Sequence, residues 1–218
     1  MVKPQLPDWL QESVAESTGP PTSVTVVHTP DHNIVKTVYE NNEKRDTARR
    51  LVQHTLPTYL PEHLLNILDL GCGNALIHPR AVRIDAHNGH WRWADGASEE
   101  SLADLIWDVA TLPFVDQVID VIFSWHLLEH FWDDKRVGMI RDWTRVLRIG
   151  GRMCHVYPEF PHAGGIDVAL RRESWGHKSE LNEARVLLGF AQVPNLRILE
   201  HGWSTAEWDK YIIVERAE

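Results

Sequence analysis

Cysteine is scarce in this 218-residue chain: Cys72 and Cys154 are the only two, too few for a disulfide framework, and a reducing cytoplasm is the expected setting. The opening segment MVKPQLPDWLQE has no apolar signal core, which points the same way. No run approaches the ~18 apolar residues that a membrane-spanning helix needs, so no membrane is expected among its partners. Positive charge is short as well. Lys and Arg number 22 against 31 Asp and Glu, a net charge of −9 that disfavours nucleic acid or an anionic bilayer as the main partner. Repeats and low-complexity tracts are also missing. Hydrophobic residues at 43% and charged residues at 24% are those of an ordinary globular protein, and the length suits a single core. Against these shortages stand 13 His and 10 Trp, enough that protonating every imidazole would carry the charge from −9 to +4.

The breakers Gly19-Pro20-Pro21 and Thr29-Pro30-Asp31 mark residues 1–33 as an N-terminal arm, in which only Ser23–Val27 has strand composition. Residues 34–218 read as one domain. Ala48, Leu51, Val52 and Leu56 recur at helical spacing between a capping Asn42 and Pro57. The apolar runs ILDL, AVRIDA, ADLIWDV, VIDVIFSW, RMCHVYPEF, LRILEHGW and KYIIVER read as strands. One amphipathic helix is expected after a cap at Asp133 or Asp134, ending at Gly150-Gly151, and another from Ser179 to about Gly189. Strands alternating with helices predict an α/β doubly wound, mostly parallel sheet, the last two strands forming an antiparallel hairpin at one edge.

In LDLGCGN, Gly71 and Gly73 follow the first core strand directly. An open α/β sheet binds its ligand beyond such strand ends, and glycine lets a bulky group lie against the backbone. Asp85 closes the second strand, where a carboxylate can accept both hydrogen bonds of a ribose diol, and Asp108 closes the third, where an acid can accept from the amine of adenine. A dinucleotide fingerprint would need a third glycine where Leu76 stands.

Together ILDLGCGN, RIDA, WDVATLPF and IDVIFSWHLLEH running into RVLRIGGRM resemble the class I S-adenosylmethionine-dependent methyltransferases, closely over about Ile67–Arg152. The resemblance implies a Rossmann-like fold and S-adenosylmethionine as cofactor. It implies that Gly71, Cys72 and Gly73 approach the methionine part, with Asp69 steadying the turn or the ammonium. Asp85 would hold the ribose, Asp108 and the Val109 backbone would read adenine, and Ser124, Trp125 and His126 would line the face where the methyl is presented. The sequence departs from the family at one place. Gly73 and Asp85 are only twelve positions apart, so the helix of the first crossover is expected to be shortened or absent, and His78 or Arg80 could replace its anion-holding N-terminus.

His126-Leu127-Leu128-Glu129-His130 also spells the H-x-x-E-H pattern of a zinc protease, but it begins where a buried strand ends. No metal is expected, and Glu129 and His130 are expected to brace the turn. His126 is the expected catalytic base. Tyr157, rather than His155, is expected to face the crevice and touch the acceptor. Trp107 and Trp143 read as packing, whereas Trp125, Trp132, Trp175 and Trp203 could form an acceptor lid, with Arg171, Arg172 and Lys178 beside it. The expected activity is methyl transfer to a small-molecule or glycan-type acceptor. The alternative is a non-catalytic scaffold or partner-binding protein of the same fold, and a homo-oligomer is left open.

Overall fold

The computed structural model describes residues 50–73, 77–86, 102–159, 178–204 and 209–218, together with the backbone of 25–26, 90–92 and 98–100. Most of the arm, residues 42–49 of the expected first helix, Leu76, and residues 160–177 with Arg171, Arg172 and Trp175 lie outside them.

The described strands are β1 (Thr25–Val26), β2 (Ile67–Leu70), β3 (Val82–Asp85), β4 (His90–Arg92), β5 (Ser98–Glu100), β6 (Leu105–Ile106), β7 (Ile119–Trp125), β8 (Leu147–Pro158), β9 (Leu196–Trp203) and β10 (Asp209–Arg216). Eight form one sheet in the order β1-β6-β3-β2-β7-β8-β10-β9, and β4 and β5 pair apart as a small hairpin. From β6 to β8 the neighbours run parallel, and β10 is antiparallel to both β8 and β9. Without its added edge strand β1, this is the class I methyltransferase arrangement, a mostly parallel doubly wound sheet closed by an antiparallel hairpin.

The strands read as continuous apolar runs because both faces of the sheet are covered. Leu68, Leu70, Ile84, Ile122 and Met153 point to one face, where they pack with Trp143 and Phe190. Ile67, Val121, Phe123 and Cys154 point to the other, against Leu51 and Val52. Those two residues belong to a helical stretch at 50–55. The first face carries helices α1 (Asp133–Val146) and α2 (Glu183–Ala191).

Four expectations change. The third strand is two residues long rather than seven, and Asp108 lies beyond it. Neither Asp133 nor Asp134 caps α1; Trp132 holds the cap position and both acids lie in the first turn, Asp133 pairing with Arg136 at 2.8 Å. Helix α1 ends at Val146 and β8 begins at once, so Gly150 and Gly151 lie inside a strand, Gly150 at φ +78° where the β7–β8 register shifts. Helix α2 starts at an Asn182 cap whose side chain accepts the Arg185 N–H, because the Ser179 hydroxyl already serves Arg136 and the Phe131 carbonyl. The β4–β5 hairpin was not expected, although Asp95-Gly96 between its strands is a turn signal.

Between β2 and β3 the described residues contain no helix. Gly71 turns at φ +66°, and the N–H groups of Gly71 and Cys72 donate to the Ile84 carbonyl at 2.8 and 3.3 Å. A Cβ on Gly71 would lie 2.7 Å from Leu127 Cδ1. The left-handed backbone and this overlap together set the cost of Gly71→Ala at roughly 2–4 kcal/mol in chemical denaturation. Gly138, inside α1 with nothing within 4 Å of where a Cβ would stand, should instead be neutral or gain up to about 1 kcal/mol as Ala. Equal effects at the two positions would contradict this account of the turn.

Candidate functional site

Parallel pairing places the carboxyl ends of β3, β2, β7 and β8 along one edge of the sheet. Because β10 runs the other way, its first residues Asp209 and Lys210 are carried to that same edge, opposite Pro158 and Tyr157. The residues expected to bind or react cluster there.

The glycine turn rests on two buried acids. Asp85 accepts the Gly73 N–H at 2.9 Å. Asp69 is 1% exposed; its side-chain oxygens make no close hydrogen bond among the described residues, and the Ile77 backbone N–H is the one donor that weighs on its carboxyl. Burial drives its pKa well above the ordinary carboxylate range, opposed by the nearby Arg83 guanidinium. A buried carboxyl group with no close hydrogen bond under a glycine turn calls for a donor or a cation. Among the described residues nothing lies within 4 Å of where a Gly73 Cβ would stand. The buried acid, the glycine turn and the acid at the end of β3 fit the amino-acid and ribose parts of S-adenosylmethionine. Cys72 is buried and its thiol is pushed strongly upward, by burial first and then by Asp69 and Asp85, so it supplies backbone and not a thiolate.

His78 does not replace the missing helix N-terminus. Its Nδ1 accepts the Arg80 N–H at 3.2 Å and its Nε2 lies 3.1 Å from Glu62, so the ring ties the connection to the short helix Glu62–Leu64. Asp108 is exposed, and its carboxylate accepts the Ala110 N–H at 2.9 Å. The Val109 carbonyl is taken by the Trp143 indole N–H at 2.7 Å.

At the end of β7 the neighbours part. Ser124 is turned into the core, its hydroxyl 2.7 Å from His155 Nδ1. Trp125 is half-buried against the second core. His126 takes a left-handed φ of +52°, donates its N–H to the Val156 carbonyl at 2.9 Å, and brings Nε2 within 2.9 Å of Asp209 Oδ1. Its side chain is 39% exposed and that of Asp209 is fully buried. The H-x-x-E-H letters are thus spread over a strand end and one 3-10 turn, Leu128–His130, instead of one α-helix. Glu129 is buried, and its backbone carbonyl accepts the N–H groups of Lys178 and Ser179, a brace as expected.

His155 and Tyr157 are two residues apart on a strand and therefore share a face, contrary to the expectation that only one could point to the crevice. Both are fully buried. His155 stacks on Trp143 with ring centroids 5.0 Å apart. Burial, then Glu159 and Glu183, raise the Tyr157 phenol, so it is a donor and not a base. Trp132 and Trp203 are exposed, as a lid would require. The sequence pattern did not disclose Asp209, 83 positions from His126, or the cluster in which Lys210 meets Glu183 at 2.9 Å and Glu159 at 3.5 Å beside Trp203. Only the first acid of a strand pointed to Asp209, and no local spacing could link it to His126.

Burial lowers the His155 pKa from 6.5 to about 3. The unfolded chain therefore takes up a proton below about pH 6.5 that the native ring refuses, and stability is lost as pH falls through this window. Between pH 7 and 5 the wild type should lose about 2 kcal/mol more than His155→Gln, read from urea unfolding. Asp69 and Glu129, whose pKa values are raised by burial, act with the opposite sign but equally in both proteins. Identical losses would show that His155 titrates normally.

Residues 68–155 match the family model described as "Methyltransferase domain". A protein of Encephalitozoon cuniculi (strain GB-M1), named as a candidate methyltransferase, is 25% identical over 208 residues, spanning 85% of this chain and 97% of that one. Among solved structures, a geranyl diphosphate methyltransferase in complex with S-adenosylmethionine aligns over 79% of this chain and 85% of its own, with TM-score 0.57 and 14% identity. The N-methyltransferase NodS from Bradyrhizobium japonicum WM9 aligns over 83% of this chain and all of its own, with TM-score 0.54 and 16% identity.

Proposed function

We propose that this chain, which carries a class I S-adenosylmethionine-dependent methyltransferase domain over residues 68–155, transfers the methyl group to a small-molecule or glycan-type acceptor. The observation that carries the reading is the arrangement at the glycine turn: Asp85 bonded to the Gly73 N–H at 2.9 Å, the buried Asp69 beneath with no close hydrogen bond, and no described residue within 4 Å of where a Gly73 Cβ would stand. When bound, the cofactor supplies a carbon activated by positive sulfur. The residues here would align that carbon and exclude water from it. Asp85 would hold the ribose hydroxyls and Asp69 would favour a donor or cation at the turn. The Asp108 loop would meet the adenine through its carboxylate and the apolar Val109 and Leu112. His126 would take up a proton on the acceptor side, and the exposed Trp132 and Trp203 would offer the acceptor apolar surface. A small acceptor agrees with the net charge of −9, which leaves little attraction for nucleic acid. It also agrees with the structural neighbour named for geranyl diphosphate. Among the described residues no helix is long and apolar enough to cross a membrane.

The link between β2 and β3, whose described residues form no helix, favours the second reading, a scaffold of the same fold that binds another protein and no cofactor. Calorimetric titration with S-adenosylhomocysteine separates the two. Binding by the wild type, weakened about 10- to 150-fold in Asp85→Ala, is the expected result, since a carboxylate hydrogen-bond set contributes about 1.5–3 kcal/mol. Silence up to millimolar ligand would favour the scaffold, as would an Asp85→Ala variant that binds like the wild type.

A further inference from the structure

A groove of about 570 Å³ runs along the exposed face of α1, and none of its lining residues belongs to the glycine turn or to the end of β7. We propose that this groove seats the chain's own N-terminal arm, residues 6–17 lying in it as an amphipathic helix held to α1 by apolar contact and by charge.

The groove has the character of a docking surface. Phe131 and Met139 give it apolar area, while Ala110 and Thr111 line it from the loop that follows β6 and carries Asp108. Its charges divide into two groups. Asp142 and Arg145 are spent on each other at 2.9 Å and on the loop, Asp142 accepting the Leu112 N–H and Arg145 donating to the Phe114 carbonyl. Lys135, Arg141 and Asp134 face the solvent. They leave one positive charge in excess on a chain whose net charge is −9.

The register of β1 brings the arm to this place. Thr25 lies opposite Ile106 and Val26 opposite Leu105, antiparallel, so the chain ahead of Thr25 continues past Ile106 toward the loop that lines the groove. Ala110, four positions beyond Ile106, can stand no more than ~14 Å from it, and residues 18–24 reach ~23 Å when extended. The linker is therefore long enough.

The sequence of the arm fits what the groove offers. Leu6, Leu10 and Val14 recur every four residues and so share one face of a helix, with Trp9 at its border. Asp8, Glu12 and Glu16 form the neighbouring stripe, and residues 6–17 contain no Lys or Arg. Pro7 suits the first turn of a helix, and Gly19-Pro20-Pro21 stops it. Such a helix is ~18 Å long, close to the ~17 Å of α1 between Asp134 and Arg145. Its apolar face meets Phe131 and Met139, and its acids meet Lys135 and Arg141. Sign, length and point of entry agree, and the docked arm flanks the Asp108 loop through Ala110 and Thr111.

Paramagnetic broadening in the full 15N-labelled chain tests the docking. A nitroxide is attached to Gln11→Cys, since the native Cys72 and Cys154 are buried away from the reagent. The amides of Lys135, Gly138 and Arg141 should be broadened beyond detection, while those of β9, at the far edge of the sheet, keep their intensity. Reversing charge with Lys135→Glu and Arg141→Glu should cut the docked fraction about three- to tenfold, and adding Asp8→Lys and Glu12→Lys should restore it. Sharp α1 amides in the labelled chain overturn the proposal, as does broadening on another face in their place or broadening that the reversal leaves unchanged. Equal broadening in a mixture of spin-labelled 14N chains with unlabelled 15N chains assigns the arm to a second copy and overturns it as well. If the reversed chain does not fold, the Gln11→Cys spectrum decides alone, and no outcome depends on whether S-adenosylhomocysteine binds.

Discussion

The link between two parallel neighbours, β2 and β3, is the constraint from which the site follows. Parallel strands are normally joined through a helix, since the chain must travel back the length of the sheet before pairing again. Here residues 71–81 make the return. Three backbone N–H groups, those of Gly71, Cys72 and Gly73, are spent on the end of β3, two on the Ile84 carbonyl and one on the Asp85 carboxylate. The same bonds that close the short link therefore place an acid against the glycine turn, and His78 locks the far side of the loop to Glu62. The candidate cofactor site and the connection are one piece of structure, and the turn at Gly71 is required by the fold before any ligand is considered.

Around that edge the chain gathers acids out of water. Asp69, Asp85, Glu129, Glu159 and Asp209 are all buried. Arg83 answers Asp69 from the side of Asp104, to which it is doubly hydrogen-bonded, and Lys210 answers Glu159. Burying carboxylates costs free energy unless charges or donors meet them, so the edge is held in a state that welcomes positive charge. A sulfonium nucleoside is positive. Electrostatics thus agrees with the fold on what the cleft should hold, although the two arguments start from different residues.

The antiparallel strand β10 contributes more than an edge. In an all-parallel sheet the start of every strand lies at the end opposite the ligand. Reversing β10 and inserting it beside β8 brings its first residues to the ligand side, and so Asp209 reaches His126 across 83 positions of sequence. The packed face behind them is dry: His155, Tyr157, Trp143 and Phe190 form a buried wall. Side chains of β8 thereby support the cleft from behind, and the reacting groups come from strand ends and turns.

What could be read without coordinates were the features written in short windows. The apolar runs marked β2, β3, β7 and β10 to within a residue or two, because a strand covered on both faces must be continuously hydrophobic, and β9 was marked as closely although it alternates between half-buried and exposed residues at the edge of the sheet. Gly71, Gly73 and Asp85 announced a glycine turn held by an acid, and the spacing of twelve positions announced a first crossover whose described residues form no helix. Two boundaries failed where a competing interaction decides: Ser179 was bound elsewhere, so Asn182 capped α2, and Gly150 fitted a strand irregularity as well as a helix end. The roles of Tyr157, Ser124 and Asp209 belonged to tertiary structure alone. Whether a side chain at a strand end faces water or core depends on which helix covers that face, and whether a histidine meets a carboxylate depends on where a reversed strand enters the sheet. Neither is a property of any local stretch of residues; both arise when the folded chain sets distant segments against one another.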